Sequence, residues 1–156
     1  MTEINEFERE FVIRTQALLR AYNGEYKLSH AINCMLGLII LPNEMLEYSH
    51  NEIWNKPIAD IEQLNYLRLR FFEPIRRKTK DGIECYRKTF RILLKKVRNG
   101  IAHQNISPVN ANGLFTGVLI RNYYSAGKRD MDLEIEFDRR ELESFALFVA
   151  EKYLEE

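Results

Sequence analysis

Apolar residues recur through the first segment, from about Glu3 to Tyr22, at Ile4, Phe7, Phe11, Leu18 and Tyr22. Spacings of three, four and seven put them on one helical stripe, and Asn23-Gly24 then stops the helix. From about Lys27 to Leu41, Leu28, Ala31, Ile32, Met35, Leu36, Leu38, Ile39 and Ile40 cover nearly the whole circumference, the pattern of a helix packed on several sides. Gly37 inside it forfeits about 1 kcal/mol of helix propensity against Ala, a loss best offset where another helix approaches closely. Pro42 ends this helix or restarts a short one from Asn43 to Tyr48.

His50 to Pro57 lacks periodicity and reads as an irregular connection anchored by Trp54. Ile61, Leu64, Leu67 and Phe71 predict a third helix from about Asp60 to Phe72, and Pro74 with the basic run Arg76-Arg-Lys-Thr-Lys-Asp-Gly82 reads as a turn. A fourth helix is expected from about Ile83 to Val97 or a little beyond, with Phe90, Leu93, Leu94, Val97 and Ile101 aligned and Gly100 weakening its end. Ser107-Pro-Val-Asn-Ala-Asn-Gly113 is turn chemistry. Gly117 to Tyr124 and Met131 to Asp138 then predict two strands of a hairpin, the second alternating Met131, Leu133, Ile135 and Phe137 with four acidic residues. Asp138 and Glu141 match a capping box, and Leu142, Phe145, Ala146, Val149 and Tyr153 give a final amphipathic helix. The expected fold is mainly α: a helical bundle with a small β-hairpin insertion, about residues 117–138, before the C-terminal helix.

Composition narrows the function. A chain of 156 residues is about one domain and buries a core of its own, so a single domain over 1–156 is expected. Lys+Arg and Asp+Glu balance at 23 each, so any attraction to nucleic acid comes from local clustering. Cys34 and Cys85 have neither CxxC nor metal-ligand spacing, which argues for a reducing compartment and against a zinc site. The acidic N-terminus is unlike a signal peptide, and the longest apolar stretch, Met35 to Leu41, is too short to span a bilayer. A cytoplasmic protein with no membrane partner is expected.

The chemistry concentrates in Leu94-Lys-Lys-Val-Arg-Asn-Gly-Ile-Ala-His-Gln104. On a continued helix, Phe90, Leu94, Val97 and Ile101 form the core stripe, while Lys96, Asn99 and His103 point nearly the opposite way. Arg98 lies about 140 degrees from His103, so the two converge only if the Gly100 region distorts or another surface, such as a two-fold partner, brings them together. Arg plus His is a sufficient set for breaking an RNA backbone, because the 2′-hydroxyl is an internal nucleophile beside the phosphorus. An imidazole exchanges a proton near neutral pH and a guanidinium forks onto two phosphate oxygens, so no metal or other cofactor is required. A homodimer supplies an acid and a base from one sequence position. On spacing alone, the pair also reads as a solvated helix end.

The surroundings extend that reading. Val97-Arg98-Asn99-Gly100-Ile101-Ala102-His103, at the end of an amphipathic helix, resembles the signature of the HEPN superfamily, an Arg and a His separated by four to six residues, often with a polar residue after the Arg, here Asn99. Asn33-Cys-Met-Leu-Gly37-Leu38-Ile-Ile-Leu-Pro42 is similar to the Asn-x-x-x-Gly-Leu-x-x-x-Pro pattern of a bacterial HEPN nuclease branch. Together the matches span about the first two thirds of the chain. The resemblance implies an α-helical fold, a homodimer with the motif facing a composite cleft, and metal-independent endoribonuclease activity on an RNA substrate, commonly in phage defence or toxin-antitoxin systems with an antitoxin or regulatory protein as partner. It implies that Arg98 steadies the phosphate, His103 transfers protons, and Asn99 orients substrate or holds the local turn. The superfamily also contains non-cleaving members, so the rival is a dimeric module that binds RNA, nucleotide or protein.

Other candidates are less specific. Arg68, Arg70, Arg76, Arg77, Lys78 and Lys80, with Phe71 and Phe72 between them, form either a groove for a single strand's phosphates or a solvated face and basic turn. Lys95 and Lys96 precede the motif and either attract substrate or partner the helix dipole. Tyr123 and Tyr124 either stack on bases or fill a strand face. His30 and His50 lack ligand-spaced partners. Asn33, in an apolar segment, is read as a buried amide that needs partners, and it either fastens a backbone turn or reaches the motif helix in a supporting role. No phosphate-binding Gly loop, paired-carboxylate motif or nucleophile elbow occurs.

Overall fold

The computed structural model describes residues 2–45, 51–72, 76–79, 82–85, 88–123 and 130–155. Among them are four α-helices, a four-stranded sheet and a two-stranded one. This mixed α/β content overturns the expectation of a mainly α bundle with a small hairpin insertion. The chain divides into two compact units, Met1–Asn51 with Asp138–Glu156, and Glu52–Phe137.

The first unit is helical. Helix α1 (Thr2–Ala21) ends just before Asn23-Gly24 as expected, and α2 (Lys27–Met45) packs against both α1 and α4 (Arg139–Leu154). Helix α2 runs through Pro42 rather than ending there; the expected extension from residue 46 to Tyr48, like His50, lies outside the described residues. Among the described side chains its core contribution includes Leu28, Ala31, Met35, Leu38 and Ile39, and that of α4 includes Leu142, Phe145, Ala146 and Val149. A Cβ on Gly37 would stand 3.1 Å from the Phe11 ring, so the glycine marks the close approach of α1. Among the described side chains of α1 the buried ones are Val12, Thr15 and Leu19, whereas Phe7 and Leu18 of the expected stripe are exposed. The core therefore takes one flank of a wider apolar face. Asp138 and Glu141 form the expected capping box, the Asp138 carboxylate accepting from the Glu141 N–H and the Glu141 carboxylate from the Asp138 N–H, both at 2.8 Å.

The second unit carries the sheets. Short 3-10 turns at Glu52–Asn55, Ile58–Asp60 and Glu62–Leu64 precede strand β1 (Arg68–Phe72). The helix expected from Asp60 to Phe72 does not form. Ile61 and Leu64, three apart, are buried in the turns, and Arg68 and Arg70 then alternate with Leu69 at the strand period. Part of the basic run, expected to be a turn, forms strand β2 (Arg76–Thr79), paired antiparallel with β3 (Gly82–Cys85). Helix α3 (Phe90–Ala102) consequently begins later than expected, capped by Thr89, whose hydroxyl accepts from the Ile92 N–H at 3.3 Å. Trp54 and Phe90, both fully buried, stack with centroids 5.1 Å apart and fix the start of α3.

Strands β4 (Ile106–Ala111), β5 (Leu114–Tyr123) and β6 (Met131–Asp138) complete a sheet of order β1-β6-β5-β4. The two expected strands are thus its central neighbours, flanked by β1 and β4, whose residue patterns suit a helix and a turn. Most of the Ser107–Gly113 segment is strand; the turn itself is Asn112-Gly113, with φ of 52 and 75 degrees. Pro108 is accommodated because β4 is an edge strand, where a missing N–H on the open side breaks no ladder bond. Helix α3 packs on β5, and Val97, Leu93, Ile120, Leu133 and Ile135 close the core of this unit.

Candidate functional site

Helix α3 stays regular to Ala102, and its end is built as a Schellman motif. The Gln104 N–H donates to the Ile101 carbonyl at 3.0 Å and the Asn105 N–H to the Gly100 carbonyl at 2.8 Å, while Gln104 takes the left-handed conformation with φ of 59 degrees. His103 is therefore the C-cap residue, with an exposed side chain, where the chain turns from α3 into β4. No distortion at Gly100 is used to bring Arg98 and His103 together.

Asn99 connects them instead. Its side-chain oxygen accepts from Arg98 Nη1 at 3.0 Å, and its backbone carbonyl accepts from the His103 N–H at 3.0 Å. One residue thus holds both the guanidinium and the start of the cap. Arg98 and Asn99 are half-buried, Lys95 is exposed, and all lie on the half of α3 opposite Leu93 and Val97.

Gly100 sets where this end of the helix stands. A Cβ there would lie 2.5 Å from the Arg121 carbonyl oxygen and 2.9 Å from Ile120 Cγ2. The glycine is the seat on which α3 rests against β5, a role beyond the weakened helix end expected from its propensity.

Lys96 departs from its expected outward placement. It is fully buried, with Nζ 3.3 Å from the Asp132 carboxylate, 3.3 Å from the Asp132 carbonyl oxygen and 5.3 Å from the centroid of the Phe72 ring. The other carboxylate oxygen of Asp132 accepts from Asn122 Nδ2 at 2.8 Å. This lysine ties α3 to the sheet and is not presented to solvent. The difference is physical: its position is between the core stripe and the outer face, so a long side chain can turn inward once a carboxylate stands there.

Charges on the sheet are also paired. Arg121 Nε donates to Glu134 at 2.7 Å, Arg70 reaches both Glu134 and Glu136, and Arg68 pairs with Glu136. The hydrogen bond from Arg121 holds the Glu134 carboxyl below the usual carboxylate range, assisted by the Arg121 and Arg70 charges against the effect of burial; the same bond raises Arg121. Arg68 and Arg70 are thereby occupied in a cross-strand ladder.

The remaining candidates separate. Arg76 and Arg77 lie in β2, opposite Cys85 and Glu84. Asn33 is exposed on α2, so the premise of a buried amide fails. His30 stacks on Tyr22 at 4.2 Å and its Nε2–H donates to the Leu18 carbonyl at 3.0 Å, a structural contact between α1 and α2. Cys34 beside it is buried, and that burial raises its thiol pKa. Tyr123 is half-buried in β5, and Tyr124, Lys80 and Pro74 lie outside the described residues. Among the described residues no group of three or more His, Cys, Asp or Glu is placed to hold a metal ion, and no helix is long and apolar enough to cross a membrane.

A family model described as HEPN pEK499 p136 matches residues 1–156. No curated protein and no solved structure matches the chain.

Proposed function

The chain belongs to the HEPN pEK499 p136 family, and from that premise we propose that it is a metal-independent endoribonuclease acting through Arg98 and His103. The observation that carries this reading is the end of α3, where Asn99 holds the Arg98 guanidinium and the exposed His103 caps the helix. HEPN domains generally form dimers, and a two-fold partner would set a second Arg98–His103 pair across a shared cleft. In that cleft one His103 takes the proton of a ribose 2′-hydroxyl, whose oxygen attacks the adjacent phosphorus. His103 of the partner subunit gives a proton to the departing 5′-oxygen, and Arg98 forks onto the non-bridging oxygens as their charge grows. The P–O5′ bond breaks, leaving a 2′,3′-cyclic phosphate and a free 5′-hydroxyl. An activity of this kind fits phage defence or a toxin-antitoxin pair in the cytoplasm, with an antitoxin or regulatory protein restraining it.

The test is incubation of the protein and its His103→Ala variant with a mixed RNA pool in excess chelator, followed by analysis of product ends. Cleavage by the wild type alone, with cyclic phosphate ends, is the expected result. Two inert proteins that are both folded and dimeric would overturn the enzymatic reading in favour of a non-catalytic dimeric module of the same fold.

A further inference from the structure

Charge in this neutral chain is strongly segregated around the motif. Between Glu84 and Asp130 there is no Asp or Glu at all, while nine Lys or Arg residues occur. Two of them, Lys96 and Arg121, are matched by carboxylates arriving from β6, Asp132 and Glu134. Helix α3 itself contains no acidic residue. The helix thus carries net positive charge in its own sequence.

The geometry of α3 arranges that charge in a line. Arg91, Lys95 and Arg98 follow at spacings of four and three, which places them within about 60 degrees of one another and along about 10 Å of helix. Ala102 continues the stripe as an exposed residue with almost no side chain, one turn past Arg98 and beside His103. Among the described residues, neither Arg91 nor Lys95 forms an ion pair, and the buried Arg91 Nε has no hydrogen-bond partner. A buried guanidinium N–H without an acceptor is costly, and a ligand that reorders this side chain can remove the cost.

We propose that Arg91, Lys95 and Arg98 form a phosphate track along α3 that leads the backbone of single-stranded RNA to His103. This rests on the reading of His103 as the site of cleavage and adds where the strand lies upstream of it. At a rise of about 3.4 Å per nucleotide for a stacked strand, the stripe spans roughly three nucleotides. The bare surface at Ala102 leaves the strand room to descend onto the cap, and the half-buried Arg98 is shared by the track and the reacting phosphate. The contacts are to phosphates, so the track contributes affinity and direction without choosing a base.

The test separates binding from cutting. In a His103→Ala background, binding of a fluorescent single-stranded RNA is measured by anisotropy across a salt series, with and without Arg91→Ala and Lys95→Ala. The double substitution is expected to weaken binding at least tenfold at low salt. It is also expected to lower the slope of log affinity against log salt by about 1.4, at about 0.7 for each lost phosphate contact. Removing two charges on the helical unit, Arg20→Ala with Lys27→Ala, is expected to leave both quantities nearly unchanged. Because Arg91 is half-buried, Lys95→Glu alone provides a second reading at an exposed site, and it should weaken binding more than Lys95→Ala. Unchanged affinity and slope in a folded double variant would overturn the track, even if the wild type cleaves RNA. A track that binds as expected in a protein without cleavage would instead leave the track standing and remove the catalytic reading.

Discussion

Gly100 and Arg121 approach so closely that a single methyl group on the glycine would stand 2.5 Å from the arginine's carbonyl oxygen. The contact decides the sign of a substitution that helix propensity alone would call favourable. Ala is preferred to Gly in a helix interior by about 1 kcal/mol, yet the acceptor here is backbone and Ile120 Cγ2 lies on the same side at 2.9 Å. Gly100→Ala is therefore expected to destabilise, by about 1–3 kcal/mol as for other overpacked cores, read as a lower midpoint in urea. A stabilised variant would mean that α3 does not rest on β5 at this point. Because Arg98 and His103 flank the glycine, RNA cleavage should fall as well.

Four residues later the opposite sign is expected. Gln104 holds φ of 59 degrees at the C′ position of the Schellman motif, a region where a side chain costs energy and glycine does not. Gln104→Gly should raise stability by roughly 0.5–1 kcal/mol. Thermal melting checks this, and an unchanged or lowered midpoint would contradict the assigned helix end.

How much of this was legible in the sequence depends on the element. The capping box at Asp138 and the alternation of β6 were readable because both signals are local, requiring only residues three apart or a period of two. Strand β1 was missed because Leu64, Leu67 and Phe71 imitate a helical spacing, while the signal that distinguishes it is non-local: Arg68 and Arg70 find Glu136 and Glu134 across the sheet. Strand β4 was missed because Ser107, Pro108 and Asn110 suit a turn and equally suit an exposed edge. At the site, the motif itself was visible, but the inward turn of Lys96 depended on Asp132, 36 residues away. The basic stripe was available without any structure, in the long stretch lacking acid, once Arg91 was aligned with Lys95 and Arg98.

The buried Lys96–Asp132 pair should behave as a unit. Lys96→Ala strands a carboxylate that the core cannot solvate, and breaking such a pair costs about 3–5 kcal/mol. Lys96→Met combined with Asp132→Asn keeps an acceptor for Asn122 Nδ2 and removes both charges. The double variant is expected to recover much of the loss, giving a positive coupling in a double-mutant cycle. Additive effects would show that the two charges do not depend on one another.

Acid should weaken the second unit through Glu134. Its folded pKa is lowered, chiefly by the hydrogen bond from Arg121, so the unfolded chain binds the proton more readily. The associated stability is fully present above the ordinary value of 4.5 and is lost as pH falls from there through the folded pKa. Glu134→Gln is expected to flatten this part of the stability profile, measured by urea unfolding between about pH 3 and 6. An identical acid slope in the variant would remove Glu134 as its source. Arg121 titrates far above this window and does not contribute to the slope.

Asn99 offers the most direct probe of how the motif's charge is used, because its side-chain oxygen already accepts from Arg98. Asn99→Asp keeps the size and the acceptor but places a carboxylate against the guanidinium. The pair then neutralises itself, leaving less positive charge for a phosphate, while the backbone bond from His103 to residue 99 is untouched. Stability should change little, since a partly exposed ion pair is worth at most about 1 kcal/mol. RNA affinity should fall several-fold and its salt dependence should shallow by up to about 0.7, one phosphate contact. Asn99→Ala, which removes the acceptor without adding charge, should retain the salt dependence while lowering cleavage through a misplaced Arg98. If Asp and Ala affect binding equally, Asn99 acts only on the fold of the cap, and the guanidinium is not a phosphate ligand.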